Sequence, residues 1–229
     1  MKAAVIVFPG TNRERDAGAA LKQVTGREPL YVWHTDTQLP QGTDLVVLAG
    51  GFSYGDYLRC GAIAARSPIM DATRAHATRG GLVLGICNGF QIACEAGLLP
   101  GVLVRNADLR FVCKFQHLSV EQTDTPFTHQ YQNGQVIKVC IAHGEGQYMA
   151  DRETIEDLEA TGRVAFRYCD AQGKSTGDAN PNGSINHIAG IYSHNKRVLG
   201  LMPHPENLID PLVGGIDGRA LFESIAQAA

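Results

Sequence analysis

The sequence contains no long apolar run, no excess of one charge and no paired metal-binding cysteines. Its 229 residues carry 20 lysine and arginine residues against 23 aspartate and glutamate residues, which gives a net charge of -3. Charges of both signs are spread along the chain, so there is no basic stripe to bind phosphates and no acidic tail. This composition argues against nucleic acid as a partner.

Neither secretion nor a disulfide framework is indicated. Residues 1–8 begin like a secretory signal, but Pro9 and Gly10 follow far too early for a signal peptide or a membrane span, so the segment is predicted to be a first strand. The six cysteines, at positions 60, 87, 94, 113, 140 and 169, form no CxxC pair. This spacing predicts a reduced, cytoplasmic protein without a zinc ribbon or a disulfide scaffold.

The first half of the chain alternates short apolar runs with amphipathic stretches. Strands are predicted at residues 3–8, 30–34, 45–49 and 82–86. Asn12 is predicted to cap a helix that runs to about residue 25, and Ser67 followed by Pro68 is predicted to begin another. The pattern is typical of βαβ units, in which helices cover both faces of a parallel sheet.

From about residue 110 the extended runs follow one another more closely, which predicts antiparallel additions to the sheet. They lie at residues 110–116, 136–142, 164–169, 188–192 and 198–202. Helices are predicted at residues 151–161 and 217–228, and a surface loop at residues 170–184. Without a repeat or a linker, residues 1–229 are predicted to form a single α/β domain.

Residues 81–97 carry the clearest sign of chemistry, because an apolar strand runs directly into a short helix with Cys87 at the junction. Gly85 and Gly89 flank it two residues away on either side, as in the nucleophile turn of hydrolases. The positive end of the helix dipole favours the reactive thiolate. Cys87 is the predicted nucleophile, although a free cysteine is often only a buried apolar residue. The other cysteines are interpreted as packing residues, with Cys60 the least certain.

The predicted base is His204, because it alone among eight histidines has a carboxylate two residues later in a rigid frame, Met-Pro-His-Pro-Glu. The prolines hold the segment extended, and alternate residues of an extended chain point to the same side. Glu206 can therefore bind one imidazole nitrogen and leave the other for the thiol. His143, in Ala-His-Gly-Glu-Gly, is the rival base, while a metal site at His204 and Glu206 lacks a third ligand at a diagnostic spacing.

Hydrolysis through a thioester also needs backbone N–H groups that stabilise a tetrahedral oxyanion. One donor is predicted at Asn88, directly after the nucleophile. The other is expected at Gly51 or Phe52, in the turn after the third strand. Gly50, in the same turn, is predicted to contact the substrate because a double glycine lets a ligand approach the backbone closely.

These motifs resemble those of the class I glutamine amidotransferases, with residues 85–91 (GICNGFQ) as the nucleophile motif and residues 203–206 (PHPE) as the base motif. We therefore expect a flavodoxin-like α/β fold with a mostly parallel core, antiparallel additions and helices on both faces. The resemblance also implies that Gln91 helps to seat glutamine. Asn207 departs from the pattern, since an arginine would be expected after the glutamate.

Further segments are similar to the glutaminase subunits of phosphoribosylformylglycinamidine synthases, and the similarity extends over essentially the whole chain. They are residues 49–59, 142–146, 180–184 and 214–218. The resemblance implies hydrolysis of glutamine to glutamate and ammonia. It further implies transfer of the ammonia to a separate synthetase subunit in purine biosynthesis, with a small third subunit bridging the two.

ATP and magnesium are expected on that synthetase, and no cofactor or metal is expected on this chain, which has no Gly-x-x-x-x-Gly-Lys-Ser/Thr loop. Two alternatives stay open. The chain could be an amidotransferase that serves another synthetase, or a non-catalytic, redox-sensing protein of the same fold. The second alternative would need no partner pair such as His204 and Glu206.

Overall fold

The computed structural model describes residues 1–229, and its centre is a mixed sheet of nine strands in the order β2-β1-β3-β4-β11-β10-β9-β6-β7. Two short strands, β5 and β8, pair separately. The strands are β1 (Ala3–Val7), β2 (Leu30–Trp33), β3 (Leu45–Leu48), β4 (Leu82–Ile86), β5 (Val102–Val104), β6 (Val112–Val120), β7 (Val136–His143), β8 (Gln147–Met149), β9 (Val164–Cys169), β10 (Ile188–Tyr192) and β11 (Val198–Leu201).

Five helices accompany the sheet: α1 (Glu14–Thr25), α2 (Ile69–Thr78), α3 (Asn88–Glu95), α4 (Arg152–Ala160) and α5 (Arg219–Ala228). Local chemistry explains where some of them begin and end. The side chain of Asp151 accepts a hydrogen bond from the Thr154 N–H at 2.8 Å and so caps α4. Gly26, with φ of 70°, ends α1 in the left-handed conformation that glycine favours. None of the helices has the length and apolar character that crossing a bilayer requires.

The sheet divides into a parallel half and an antiparallel half. β2, β1, β3, β4 and β11 run parallel to one another, whereas β10, β9, β6 and β7 are added to β11 by antiparallel pairing. Every residue of β3, β4 and β11 is buried, as expected for parallel strands covered on both faces. Because these three strands are adjacent and parallel, their carboxyl ends meet at one edge of the sheet.

This architecture confirms the predicted α/β fold, with its mostly parallel core and antiparallel additions. The two predicted helix caps are wrong. α1 begins only at Glu14, because the Asn12 N–H is drawn to the Gly50 carbonyl at 3.3 Å. α2 begins after Pro68 without a side-chain cap, and the Ser67 hydroxyl instead lies 3.0 Å from the Tyr54 hydroxyl.

Two further features differ from the sequence prediction. β5 and β8 have three residues each and were not predicted, since such short runs carry no periodicity. The predicted surface loop at residues 170–184 is exposed in its first part, but Asn182 and Ser184 are only 2% and 3% exposed. Their side chains are drawn inward because they bind the backbone near Gly146.

Candidate active site

The site lies where β3, β4 and β11 end. β3 leads into the turn that contains Gly51, β4 leads into Cys87, and β11 leads through Met202 and Pro203 to His204. Ligand sites of open α/β sheets occur at this kind of edge, outside the carboxyl ends of the strands. The sheet topology therefore brings together three segments that are far apart in sequence.

Cys87 occupies a strained turn between β4 and α3, with φ of 52° and ψ of -106°. A non-glycine residue adopts positive φ only when its surroundings enforce it. A Cβ atom at Gly85 would lie 2.6 Å from the Gly89 carbonyl oxygen, and one at Gly89 would lie 1.8 Å from the Leu48 carbonyl oxygen. Both glycines are thus needed for the turn that presents Cys87 at the helix N-terminus.

His204 and Glu206 form the predicted pair. The His204 Nδ1 lies 2.7 Å from Glu206 Oε1, and both residues are 3% exposed. The His204 backbone N–H donates to the Cys140 carbonyl at 2.9 Å, which fixes the extended segment against β7. Since a carboxylate oxygen can only accept, Nδ1 carries the proton and Nε2 is the nitrogen left for the thiol.

Cys87 and His204 line the same cavity. Burial acts to lower the pKa of His204, but the Glu206 carboxylate and the charge of the nearby Cys87 sulfur more than offset burial and raise this pKa well above its usual value. The surroundings therefore stabilise a protonated imidazole beside the sulfur. Such an imidazole can donate a proton to a leaving group.

Two backbone N–H groups beside Cys87 bind no other group of the protein, those of Gly51 and Asn88. Asn88 is the first residue of α3, whose leading N–H groups have no partner within the helix. The Phe52 N–H, by contrast, donates to the Gly10 carbonyl at 2.9 Å. This corrects the expectation for Phe52, and Gly51 and Asn88 remain as the two candidate donors.

Two cavities of about 190 and 240 Å³ meet at Cys87. The smaller one is also lined by Asp56, Gln91 and Glu145, and the larger one by His204. Clefts of about 410 to 450 Å³ occur elsewhere on the surface, but Cys87 lines none of them. The pair of cavities at Cys87 is therefore the candidate substrate site.

The two residues predicted to contact the substrate have different surroundings. Gln91 lines the smaller cavity, but its side chain binds both Asn88 and the Glu145 carbonyl. Gly50 lines neither cavity. A Cβ atom there would lie 3.0 Å from His204 Cε1. Gly50 thus provides room for the imidazole, and direct contact between Gly50 and the substrate is not favoured.

The rival base, His143, is buried against the same cavity. Its Nδ1 lies 3.2 Å from Asn106 Oδ1, which also accepts from the Gly146 N–H and is therefore the oxygen of that amide. Burial, together with the nearby His204, lowers the pKa of His143 to about 4. A neutral imidazole with so low a pKa is a poor general base at neutral pH, so the geometry favours His204.

Cys60, the least certain of the other cysteines, also lines the smaller cavity. Burial, with further contributions from Glu145 and Asp56, raises the pKa of its thiol. Cys60 is therefore held as the unreactive thiol. No group of three or more histidine, cysteine, aspartate or glutamate side chains is arranged to hold a metal ion.

Sequence reasoning missed the polar residues that support the site, above all Asn106 and Asn182. Asn106 Nδ2 donates to the His143 carbonyl at 2.9 Å, and Asn182 Nδ2 donates to the Gly146 carbonyl at 2.7 Å. Asn182 belongs to Asn-Pro-Asn-Gly-Ser, which has the composition of an ordinary turn. No local signal marks either asparagine as buried.

The fold and the cysteine site define a class that sequence comparison also recognises. A profile of the CobB/CobQ-like glutamine amidotransferase domain matches residues 1–216. The chain therefore belongs to this family of glutamine amidotransferases.

Individual relatives narrow the similarity further. Phosphoribosylformylglycinamidine synthase subunit PurQ of Bradyrhizobium diazoefficiens is 62% identical over 227 residues, which are 99% of this chain and 97% of the relative. The subunit PurQ of Rhodospirillum rubrum is 60% identical over 228 residues, 100% of this chain and 99% of the relative. A chain in the structure of PurLQS from Thermotoga maritima superposes with a TM-score of 0.87 at 44% identity, covering 99% of this chain and 97% of that one.

Proposed function

We propose that this chain is the glutaminase subunit of phosphoribosylformylglycinamidine synthase. It hydrolyses glutamine to glutamate and ammonia, and it supplies the ammonia to an ATP-dependent synthetase subunit in purine biosynthesis. The observation that carries the proposal is a buried His204–Glu206 pair facing Cys87 in a chain 62% identical to a PurQ subunit over nearly its whole length.

In the proposed mechanism, the thiolate of Cys87 attacks the carboxamide carbon of glutamine. The negative charge that develops on the carboxamide oxygen is stabilised by the N–H groups of Gly51 and Asn88. His204 donates a proton to the nitrogen, the carbon–nitrogen bond breaks, and ammonia leaves a thioester on the sulfur. His204 then takes a proton from water, which attacks the thioester and releases glutamate. Glu206 keeps the imidazole in one tautomer and orientation throughout.

The two cavities suggest how glutamine lies in the site. Its carboxamide must reach both Cys87 and His204, so the nitrogen points towards the larger cavity. The amino-acid end then occupies the smaller cavity, where the carboxylates of Asp56 and Glu145 would attract the α-ammonium group. Burial raises the pKa of Asp56, and a bound cation would favour its ionised form.

The ammonia must reach a second active site, and exposed apolar side chains at the mouth of the site offer a surface for that partner. Phe52 and Phe111 line both cavities and are 48% and 56% exposed. On the same two segments, Leu58 is 90% exposed and Leu109 is 75% exposed. Exposed apolar surface of this kind marks protein–protein interfaces. We assign this surface to the synthetase, with the small subunit bridging the two.

The remaining parts of the proposal concern cofactors and location. The synthetase binds ATP and magnesium, since the glutaminase reaction proposed for Cys87 consumes neither. The chain acts in the cytoplasm, where its six unpaired cysteines stay reduced.

The test is the Cys87→Ala variant in a complex reconstituted with the synthetase and the small subunit. Glutamine hydrolysis should fall by about 10⁴-fold or more, as it does when other enzymes lose their nucleophile. Synthesis of the amidine from formylglycinamide ribonucleotide, ATP and added ammonia should continue. Cys169→Ala, which removes a free cysteine that lines neither cavity, is the matched control.

Normal hydrolysis by Cys87→Ala would contradict the assignment of the nucleophile. A wild-type complex that hydrolyses glutamine but makes no amidine from formylglycinamide ribonucleotide would show that the chain serves another synthetase.

A further inference from the structure

A buried row of hydrogen bonds crosses the floor of the site. The backbone N–H of Ser53 donates to Asn88 Oδ1 at 3.1 Å, and Asn88 Nδ2 donates to Gln91 Oε1 at 2.9 Å. Gln91 Nε2 then donates to the Glu145 carbonyl at 2.6 Å. Ser53, Asn88 and Gln91 are 3%, 1% and 5% exposed. The row connects the turn after β3, the start of α3 and the segment after β7.

The direction of this row is determined by its two ends. A backbone N–H can only donate, so the atom of Asn88 that faces Ser53 must be the amide oxygen. A backbone carbonyl can only accept, so the atom of Gln91 that faces Glu145 must be the amide nitrogen. Both side-chain amides therefore have one orientation, and neither can flip without leaving a buried group unpaired.

The turn after β3 is held on its outer side by a separate set of bonds. The Phe52 N–H donates to the Gly10 carbonyl at 2.9 Å, and the Tyr54 N–H donates to the Pro9 carbonyl at 2.6 Å. These bonds attach the turn to the segment after β1. Near Gly51, the bond from Ser53 to Asn88 attaches the turn to α3, while Arg59, further along the chain, binds Glu95 at the other end of this helix.

We propose that Asn88 is the positioning residue of the oxyanion hole. Its side chain holds the turn that carries the Gly51 N–H against α3, and the first backbone N–H of α3 belongs to Asn88 itself. Asn88 then contributes one donor through its backbone and places the other donor through its amide oxygen. This inference rests on the proposed glutaminase function and assigns a task to a side chain that the reaction itself does not use.

Asn88→Leu, which has a similar shape but cannot accept the Ser53 N–H, tests the inference in the reconstituted complex. A donor displaced by about an ångström costs about 10²-fold in rate, so kcat for glutamine hydrolysis should fall by about that factor. Alkylation of Cys87 by iodoacetamide, followed by peptide mass spectrometry, is the matched readout. The sulfur attacks a saturated carbon and iodide leaves, so no oxyanion forms, and the alkylation rate should stay within about threefold of wild type.

Asn88→Asp keeps an acceptor for Ser53 and loses the donor to Gln91. Because the new carboxylate lies near the oxyanion and repels it, kcat should still fall, but by less than in Asn88→Leu, while KM for glutamine rises because the Glu145 segment is released. This variant decides the question alone if Asn88→Leu does not fold. A loss of kcat in Asn88→Asp as large as that predicted for Asn88→Leu would overturn the inference.

Two other results would also overturn it: unchanged hydrolysis by Asn88→Leu, or an equal loss of hydrolysis and alkylation, since the second would mean that the nucleophile turn itself is disturbed. Failure of the proposed function looks different. In that case the wild-type complex releases no glutamate from glutamine, whatever residue 88 is.

Discussion

The nucleophile turn and the segment at residues 143–146 line the same cavity, but different interactions hold them in place. Cys87 is held by its immediate neighbours, because Gly85 and Gly89 allow β4 and α3 to pack closely around a strained residue. Residues 143–146 have few such local constraints. Their backbone groups bind side chains that are distant in sequence, those of Gln91, Asn106 and Asn182.

This difference separates two ways of building an active site. A local turn stores strain in a few residues and needs close packing, so its tolerance for added atoms is small. A loop held by buried amides depends on hydrogen bonds that must all be satisfied together. The first should fail through steric clash, and the second through unpaired polar groups.

The largest effect on folding is expected from Gly89→Ala in the nucleophile turn. The new methyl group would lie 1.8 Å from the Leu48 carbonyl oxygen, so β3 and α3 would have to separate. We expect the free energy of unfolding to fall by about 3 kcal/mol. Gly177→Ala is the control, since nothing lies within 4 Å of its Cβ position, and it should change stability by less than about 1 kcal/mol. Chemical denaturation compares the two variants. Equal free energies of unfolding would contradict the claim that close packing at Gly89 holds the nucleophile turn.

The second prediction concerns the pH dependence of the segment at residues 143–146. The pKa of His143 is lowered to about 4 in the folded chain, whereas an unfolded histidine has a pKa of about 6.5. The unfolded state therefore binds a proton first as the pH falls. The stability that His143 contributes is complete above about pH 6.5 and is lost towards pH 4, a total of about 3 kcal/mol.

The His143→Gln variant lacks this titrating group. Urea unfolding of the wild type and the variant between pH 7.5 and 4.5 separates the contribution of His143 from that of the carboxylates, which both chains share. The wild type should lose about 2 to 3 kcal/mol more than the variant over this range. If the free energies of unfolding of the two chains changed equally with pH, His143 would not be buried as a neutral imidazole.

The smallest effect is expected from Asn182→Ala. It leaves the Gly146 carbonyl without the donor that now lies at 2.7 Å, and it should lower the free energy of unfolding by about 1 to 3 kcal/mol. Asn133→Ala, at an exposed turn, should change stability by no more than about 0.5 kcal/mol. If the two variants unfold at the same denaturant concentration, the long-range support of this segment is unimportant.

The same contrast explains how much the sequence predicted. The strands and Cys87 could be predicted because their signals are local, an apolar run followed by glycines around a cysteine. His204 and Glu206 could be paired because prolines impose an extended chain over a few residues. The parallel sheet then brought the base to the nucleophile.

What could not be predicted depends on distant contacts. Asn182 has the composition of a surface turn, and its burial follows only from the position of Gly146 in the folded chain. The choice between Gly51 and Phe52 as donor likewise depends on a bond from Phe52 to Gly10, which sequence spacing does not reveal. The predicted caps at Asn12 and Ser67 failed for the same reason.

The pairing of β4 with β11 sets the alignment of the chemistry, since Ile86 lies opposite Leu201 and the nucleophile and the base follow at fixed distances beyond them. The chain between these two strands adds β10, β9, β6 and β7 to the same sheet without altering that alignment. Within that stretch, residues 171–178 line neither cavity and are mostly exposed, so an insertion there would leave the alignment intact. A single residue added between Leu201 and His204, in contrast, would separate acid from nucleophile at once.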